Sequence, residues 1–193
     1  MNVTRDNSLA HNDLGTALEQ AGKVEEAIIH YAEATRIEPE YASAHFNLAA
    51  ALLKSGKTNR ANEASVHLSE ALRIQPDFAE AHNTLGVYLL NQGKGEEAIR
   101  HLREAVRLKP DFPLAHNNLA GAFATGGRID EAIAEYAEAL RWDPTFLQAS
   151  DNLGILLMQR GKTSEAIDRF RASLRINPRD SAALRWLANL KAQ

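Results

Sequence analysis

Five prolines constrain this chain more than any other feature. Pro39, Pro76, Pro110, Pro144 and Pro178 recur at intervals of 37, 34, 34 and 34 residues, and Pro113 alone stands outside the series. Five glycines keep the same beat at Gly22, Gly56, Gly93, Gly127 and Gly161. A fixed period of this length means a stack of similar supersecondary units, not one continuous core. The frame divides the chain into a lead-in at 1–7, units at 8–41, 42–78, 79–112, 113–146 and 147–180, and a terminal helix or sixth start at 181–193.

Inside each unit the glycine stops a first helix in the left-handed conformation, and the proline cannot continue a second. Each unit is therefore predicted to be a helix hairpin and the chain to be all-α. The first helices carry Leu14, Leu48, Leu85, Leu119 and Leu153, each followed by Gly or Ala. The second helices carry Ala27, Ala64, Ala98, Ala132 and Ala166, then Tyr31, Leu68, Leu102, Tyr136 and Phe170. Small residues let helix axes approach while large ones fill the groove between them. The second unit is three residues longer between Lys57 and Glu63, close to one helical turn, which predicts an added turn or loop at the hairpin tip.

Composition narrows the function. With 45% hydrophobic and 24% charged residues the chain is globular in type. The absence of cysteine removes thiol catalysis, disulfides and Cys-based zinc sites. No apolar run is long enough to span a membrane and the first residues do not resemble a secretory leader, so no membrane insertion and a cytoplasmic location are expected. A net charge of -3 argues against nucleic acid as partner. Residues 160–193 hold 8 basic and 3 acidic side chains, net +5, against net -8 for the rest.

The set Leu-Gly/Ala, Gly, Ala, Tyr/Phe/Leu, Ala, Pro at this spacing resembles the tetratricopeptide repeat, over residues 8 to about 190. The segments PDFAEAHNTLG (76–86) and PLAHNNLAGAF (113–123) are most similar to repeats of the O-linked N-acetylglucosamine transferase family, where the repeats present substrates to a catalytic domain unlike anything in this chain. The resemblance implies a right-handed superhelical solenoid of antiparallel helix pairs, five repeats plus a terminal helix. Its first helices would line a concave groove that binds a protein or peptide partner in extended form. The departures are His11, His45, His82, His116 or Ser150 where an aromatic residue is usual, and the longer second unit.

On that frame the groove lining is mostly amide, small and apolar. Its candidate peptide-binding residues are Asn12, Asn47, Asn83, Thr84, Asn117, Asn118 and Asn152, with Phe46 among them. An amide both donates and accepts, so a row of them can pair with a peptide backbone whatever its side chains. Repeats that hold the acidic tails of heat-shock chaperones place cations around an Asn; here Asn12, Thr16, Asn47, Glu80 and Thr84 supply none. No nucleophile-elbow, dinucleotide, P-loop or zinc-protease pattern occurs, so no enzymatic activity and no cofactor are expected.

All seven histidines fall in two frame positions, His11, His45, His82 and His116 in first helices and His30, His67 and His101 in second helices. Rows with one member per repeat are spaced by helix packing, about 8–10 Å, too far for shared ligation, so no metal site is expected. Two aromatics fall where other units have mostly Asn, Asp or Thr, Phe46 and Trp186. Trp186 lies in the terminal helix with Leu184, Leu187 and Leu190, and that apolar, basic end reads as the cut edge of a longer protein or as a docking surface, expected to associate with a partner helix or with a second copy head to tail.

Overall fold

The computed structural model describes residues 3–191, with side chains for 7–57 and 59–190. All regular structure among them is helical. The chain forms two compact units, Met1–Gln92 and Gly93–Gln193. The first holds α1 (Val3–Gln20), α2 (Val24–Ile37), α3 (Ala42–Lys54), α4 (Ala61–Ile74) and α5 (Ala79–Asn91), each packed on the next. The second holds α6 (Gly95–Leu108), α7 (Pro113–Thr125), α8 (Ile129–Trp142), α9 (Leu147–Gln159), α10 (Thr163–Ile176) and α11 (Ser181–Lys191), again packed in sequence. The two helices of the third repeat thus belong to different units, and α1 begins within the residues set aside as a lead-in.

The hairpin turns follow from glycine. Gly22 has φ 77°, which a side chain would resist, and the reversed backbone lets Lys23 N–H reach Leu18 O at 2.8 Å while Gly22 N–H reaches Glu19 O at 3.0 Å. The same double closure recurs as Arg128 N–H to Phe123 O and Lys162 N–H to Leu157 O. After Gly56 the chain instead makes a 3-10 turn, Thr58–Arg60, before α4. Lys57 Nζ and Arg60 Nη1 hold Glu25 at 2.8 and 2.9 Å, and those hydrogen bonds lower the Glu25 carboxyl below its ordinary range.

Packing follows the repeat. Ala27, Ala64, Ala98, Ala132 and Ala166 are all fully buried, as are Leu68, Leu102 and Phe170. At Gly15 and Gly154 the small residue after the first-helix leucine is a notch for the ring of the second helix. A methyl at Gly15 would lie 2.6 Å from the Tyr31 ring, and one at Gly154 2.7 Å from the Phe170 ring. No helix of the described residues is long and apolar enough to cross a membrane.

Candidate binding face

The first helices carry two kinds of amide. Those at the fifth repeat position are inside the protein, with Asn12, Asn83 and Asn117 only 7%, 6% and 4% exposed. Those one residue later, Asn47, Asn118 and Asn152, are half-buried, as is Thr84, whose hydroxyl donates back to Glu80 O at 2.8 Å. A single-residue step moves a side chain 100° around a helix, so the two rows cannot share one exposure.

In the first unit the amides satisfy one another. Asn47 Nδ2 donates to Asn12 Oδ1 at 2.9 Å across α3 and α1. Phe46 packs on the Phe78 ring at 4.8 Å between centroids. Lys54 Nζ bridges to Glu19 at 3.0 Å, and the Tyr31 hydroxyl donates to Glu19 at 3.2 Å or to Thr16 at 3.3 Å. Burial first, and Glu19 after it, push the Tyr31 phenol above its ordinary value.

In the second unit the equivalent pairing is broken. Asn117 and Asn152 stand in the same repeat positions as Asn12 and Asn47, but Asn152 hydrogen-bonds the buried Tyr136 hydroxyl instead. Asn117 Nδ2 reaches Asn118 Oδ1 only at 3.5 Å, and its own Oδ1 is the one buried side-chain polar atom without a partner among the described residues. On α9, Asp151 takes the place of a fifth-position Asn and accepts from Ser173 Oγ at 2.6 Å. Burial, with Asp180 beside it, raises the Asp151 carboxyl above its ordinary value. A cleft of about 330 Å³ between α8, α9 and α10, lined by Leu153, Leu157 and Arg169 among others, contains none of these amides.

The remaining predicted residues lie on α11. Trp186 is half-buried and stacks parallel on Phe170, ring centroids 6.0 Å apart. Leu187 and Leu190 are half-buried and Leu184 is 48% exposed.

The histidines are arranged in a way their sequence rows do not suggest. They pair across the first two hairpins, His11 Nδ1 to His30 Nδ1 at 2.9 Å and His45 Nδ1 to His67 Nδ1 at 2.9 Å. His45 Nε2–H donates to Pro39 O at 2.9 Å, which leaves Nδ1 as acceptor and assigns the shared proton to His67 Nδ1. In the second unit the same rung is His116 with Glu135 at 2.7 Å, then Ser150 donating to Arg169 O at 3.2 Å. The sequence expectation concerns spacing along the rows; across the hairpin, which it does not consider, the histidines come within hydrogen-bonding distance. A constant separation of 19 residues, 22 in the long unit, is the signal that reveals the rungs. No cluster of three or more potential ligands occurs among the described residues.

Family models of the tetratricopeptide repeat match residues 83–145 and 152–193, and a model of the TPR repeat matches 15–56. The chain belongs to the tetratricopeptide repeat family. Among solved tetratricopeptide structures it is similar to YrrB, described as a TPR protein with an unusual peptide-binding site, at 20% identity, TM-score 0.75, over 97% of this chain and 94% of that one. It is similar to PilF of Pseudomonas aeruginosa at 22% identity and TM-score 0.83, over 95% and 82%. It is similar to MamA of Desulfovibrio magneticus RS-1 at 19% and 0.77, over 91% and 98%. At these identities the likeness is one of fold. No individually curated protein matches the chain.

Proposed function

We propose that this tetratricopeptide repeat chain is a protein-interaction scaffold that binds an extended segment of a partner along the amide-bearing face of its first helices, chiefly on α7 and α9. The observation that carries the reading is Asn117 Oδ1, a buried acceptor with no donor, beside half-buried Asn118 and Asn152. An unpaired buried polar atom costs about 1–3 kcal/mol; Asn117 Oδ1 is enclosed in the free chain, so a partner N–H recovers that energy only once side chains of α7 and α9 move aside to admit it. A peptide backbone supplies an N–H at every residue but proline, so the site selects an extended chain over a side-chain charge. The equivalent Asn12 Oδ1 already accepts from Asn47 Nδ2 and so lacks this unpaired acceptor. The net negative charge favours a protein over a nucleic acid.

A second reading places the same face in the substrate-presenting repeats of a larger enzyme such as a glycosyltransferase. The resemblance of segments 76–86 and 113–123 to repeats of the N-acetylglucosamine transferase family supports it, and the full open reading frame decides it. The test of the primary reading is capture from native lysate by immobilised wild type and by an Asn118→Ala/Asn152→Ala variant. The wild type is expected to retain partners that the variant loses; the variant melts lower, since the buried Tyr136 hydroxyl loses Asn152 at a cost of about 1–3 kcal/mol, but keeps its helicity by circular dichroism. Equal retention by both would refute the role of these amides.

A further inference from the structure

The first and last helices each present a face that the repeat buries everywhere else. At the third position of the first helices Ala44, Ala81, Ala115, Ala149 and Ala183 are fully buried, whereas Ala10 is exposed. At the seventh, Leu48, Leu85, Leu119 and Leu153 are 1–7% exposed, whereas Leu14 is 46% exposed. Ala17 continues this open stripe along α1. On α11 the open side is the opposite one. Its fourth and eighth positions, the ones that face a second helix in every other hairpin, are Leu184 at 48% exposure and exposed Ala188. Among the described residues nothing covers either stripe.

The charges of the two helices are complementary. Among the described side chains α1 carries Asp13 and Glu19, both acidic, and α11 carries Arg185, basic. Exposed Asp13 adjoins Leu14, and exposed Arg185 adjoins Leu184. The imbalance extends further: residues 1–92 hold 7 basic and 12 acidic side chains, net -5, against +5 for 160–193. Alanines beside single leucines on both stripes let two helix axes approach closely. Opposite charge at the flanks orients the encounter.

We propose that the α11 stripe of one copy packs on the α1 stripe of a second copy, with Leu184 and Ala188 against Ala10, Leu14 and Ala17, and with Arg185 facing Asp13. The contact is heterologous, since each copy offers one stripe of each kind. Such a contact adds copies in a chain or closes a ring, and does not stop at a symmetric dimer. It leaves the amide face free and is independent of the ligand reading. Trp186 contributes indirectly, because its stacking on Phe170 holds α11 against α10.

Sedimentation equilibrium over rising concentration tests this on the wild type, on Leu14→Glu, on Leu184→Glu and on their equimolar mixture. Both leucines are already half in water, so neither substitution buries a charge in the monomer. The wild-type mass is expected to rise with concentration, less steeply in high salt. Each variant alone keeps the mass of one chain. Their mixture reaches the mass of two chains and goes no further, since one intact stripe of each kind remains. A wild type that stays monomeric overturns the proposal, as does a Leu14→Glu protein that self-associates like wild type, or a mixture that remains monomeric.

Discussion

The glycines of α7 and α9 allow one substitution to be predicted with opposite signs in the same unit. Gly121 and Gly154 both lie inside 13-residue first helices, where Gly→Ala gains about 1 kcal/mol of helix propensity. At Gly121 the new methyl would find only the Tyr136 hydroxyl at 3.7 Å, an ordinary contact, so the gain of about 1 kcal/mol is kept. At Gly154 the methyl would lie 2.7 and 2.8 Å from two ring carbons of Phe170. That ring is fully buried with Trp186 stacked on it, so it cannot yield freely. Overpacking of this kind costs about 1–3 kcal/mol, which cancels or exceeds the propensity gain and leaves a net loss of roughly 0–2 kcal/mol. Urea unfolding of the two variants, followed by far-ultraviolet circular dichroism, should raise the midpoint for Gly121→Ala and leave it unchanged or lower for Gly154→Ala. Trp186 fluorescence should shift in the native state of the second variant alone. A Gly154→Ala protein as stable as Gly121→Ala would refute the notch as the reason for glycine there.

Acid should affect the two units in opposite directions. Burial, then neighbouring His45, holds His67 below its ordinary value against the opposing pull of Glu63 and Glu70, so its stabilisation is present above that value and is lost as pH falls through the depressed one. Burial also opposes the charge on His116, but Glu135 and the Pro110 carbonyl outweigh it and raise the pKa; that stabilisation is full below the ordinary value and fades as pH rises through the raised one. Trp142 and Trp186, the only tryptophans, both lie in the second unit. Between about pH 8 and about pH 5, denaturant midpoints read by circular dichroism should therefore fall relative to those read by tryptophan fluorescence; coincident curves at both pH values would contradict the rungs. Asn47→Ala should cost about 1–3 kcal/mol by orphaning buried Asn12 Oδ1, whereas Asn117→Ala should cost much less because its oxygen is already unpaired. Equal thermal shifts for the two would refute that difference. Deleting Thr58–Arg60 removes the solvent-screened Arg60–Glu25 bridge and should leave helicity intact by circular dichroism.

Everything that depends on one residue at a time was legible in the sequence. Gly22 requires a left-handed backbone and Pro39 ends a helix whatever surrounds them, so hairpins, order and period follow from spacing alone. The candidate face was legible only by residue type. Asn117 and Asn152 repeat Asn12 and Asn47 in kind and frame, yet one pair closes and the other stays open. The difference lies in a third residue, since Tyr136 offers its hydroxyl to Asn152 while Tyr31 turns to Thr16 and Glu19. Hydrogen bonding saturates, so which partner an amide takes depends on what every neighbour has already been offered. The histidine rungs escape for a related reason: they join positions 19 residues apart, a relation across a hairpin that a comparison of equivalent positions along the repeats cannot contain. A repeated sequence thus specifies its scaffold by what all units share. The hydrogen bonding differs where one unit departs from the others, and in this chain that departure includes the unpaired oxygen of Asn117, on which the proposed binding role rests.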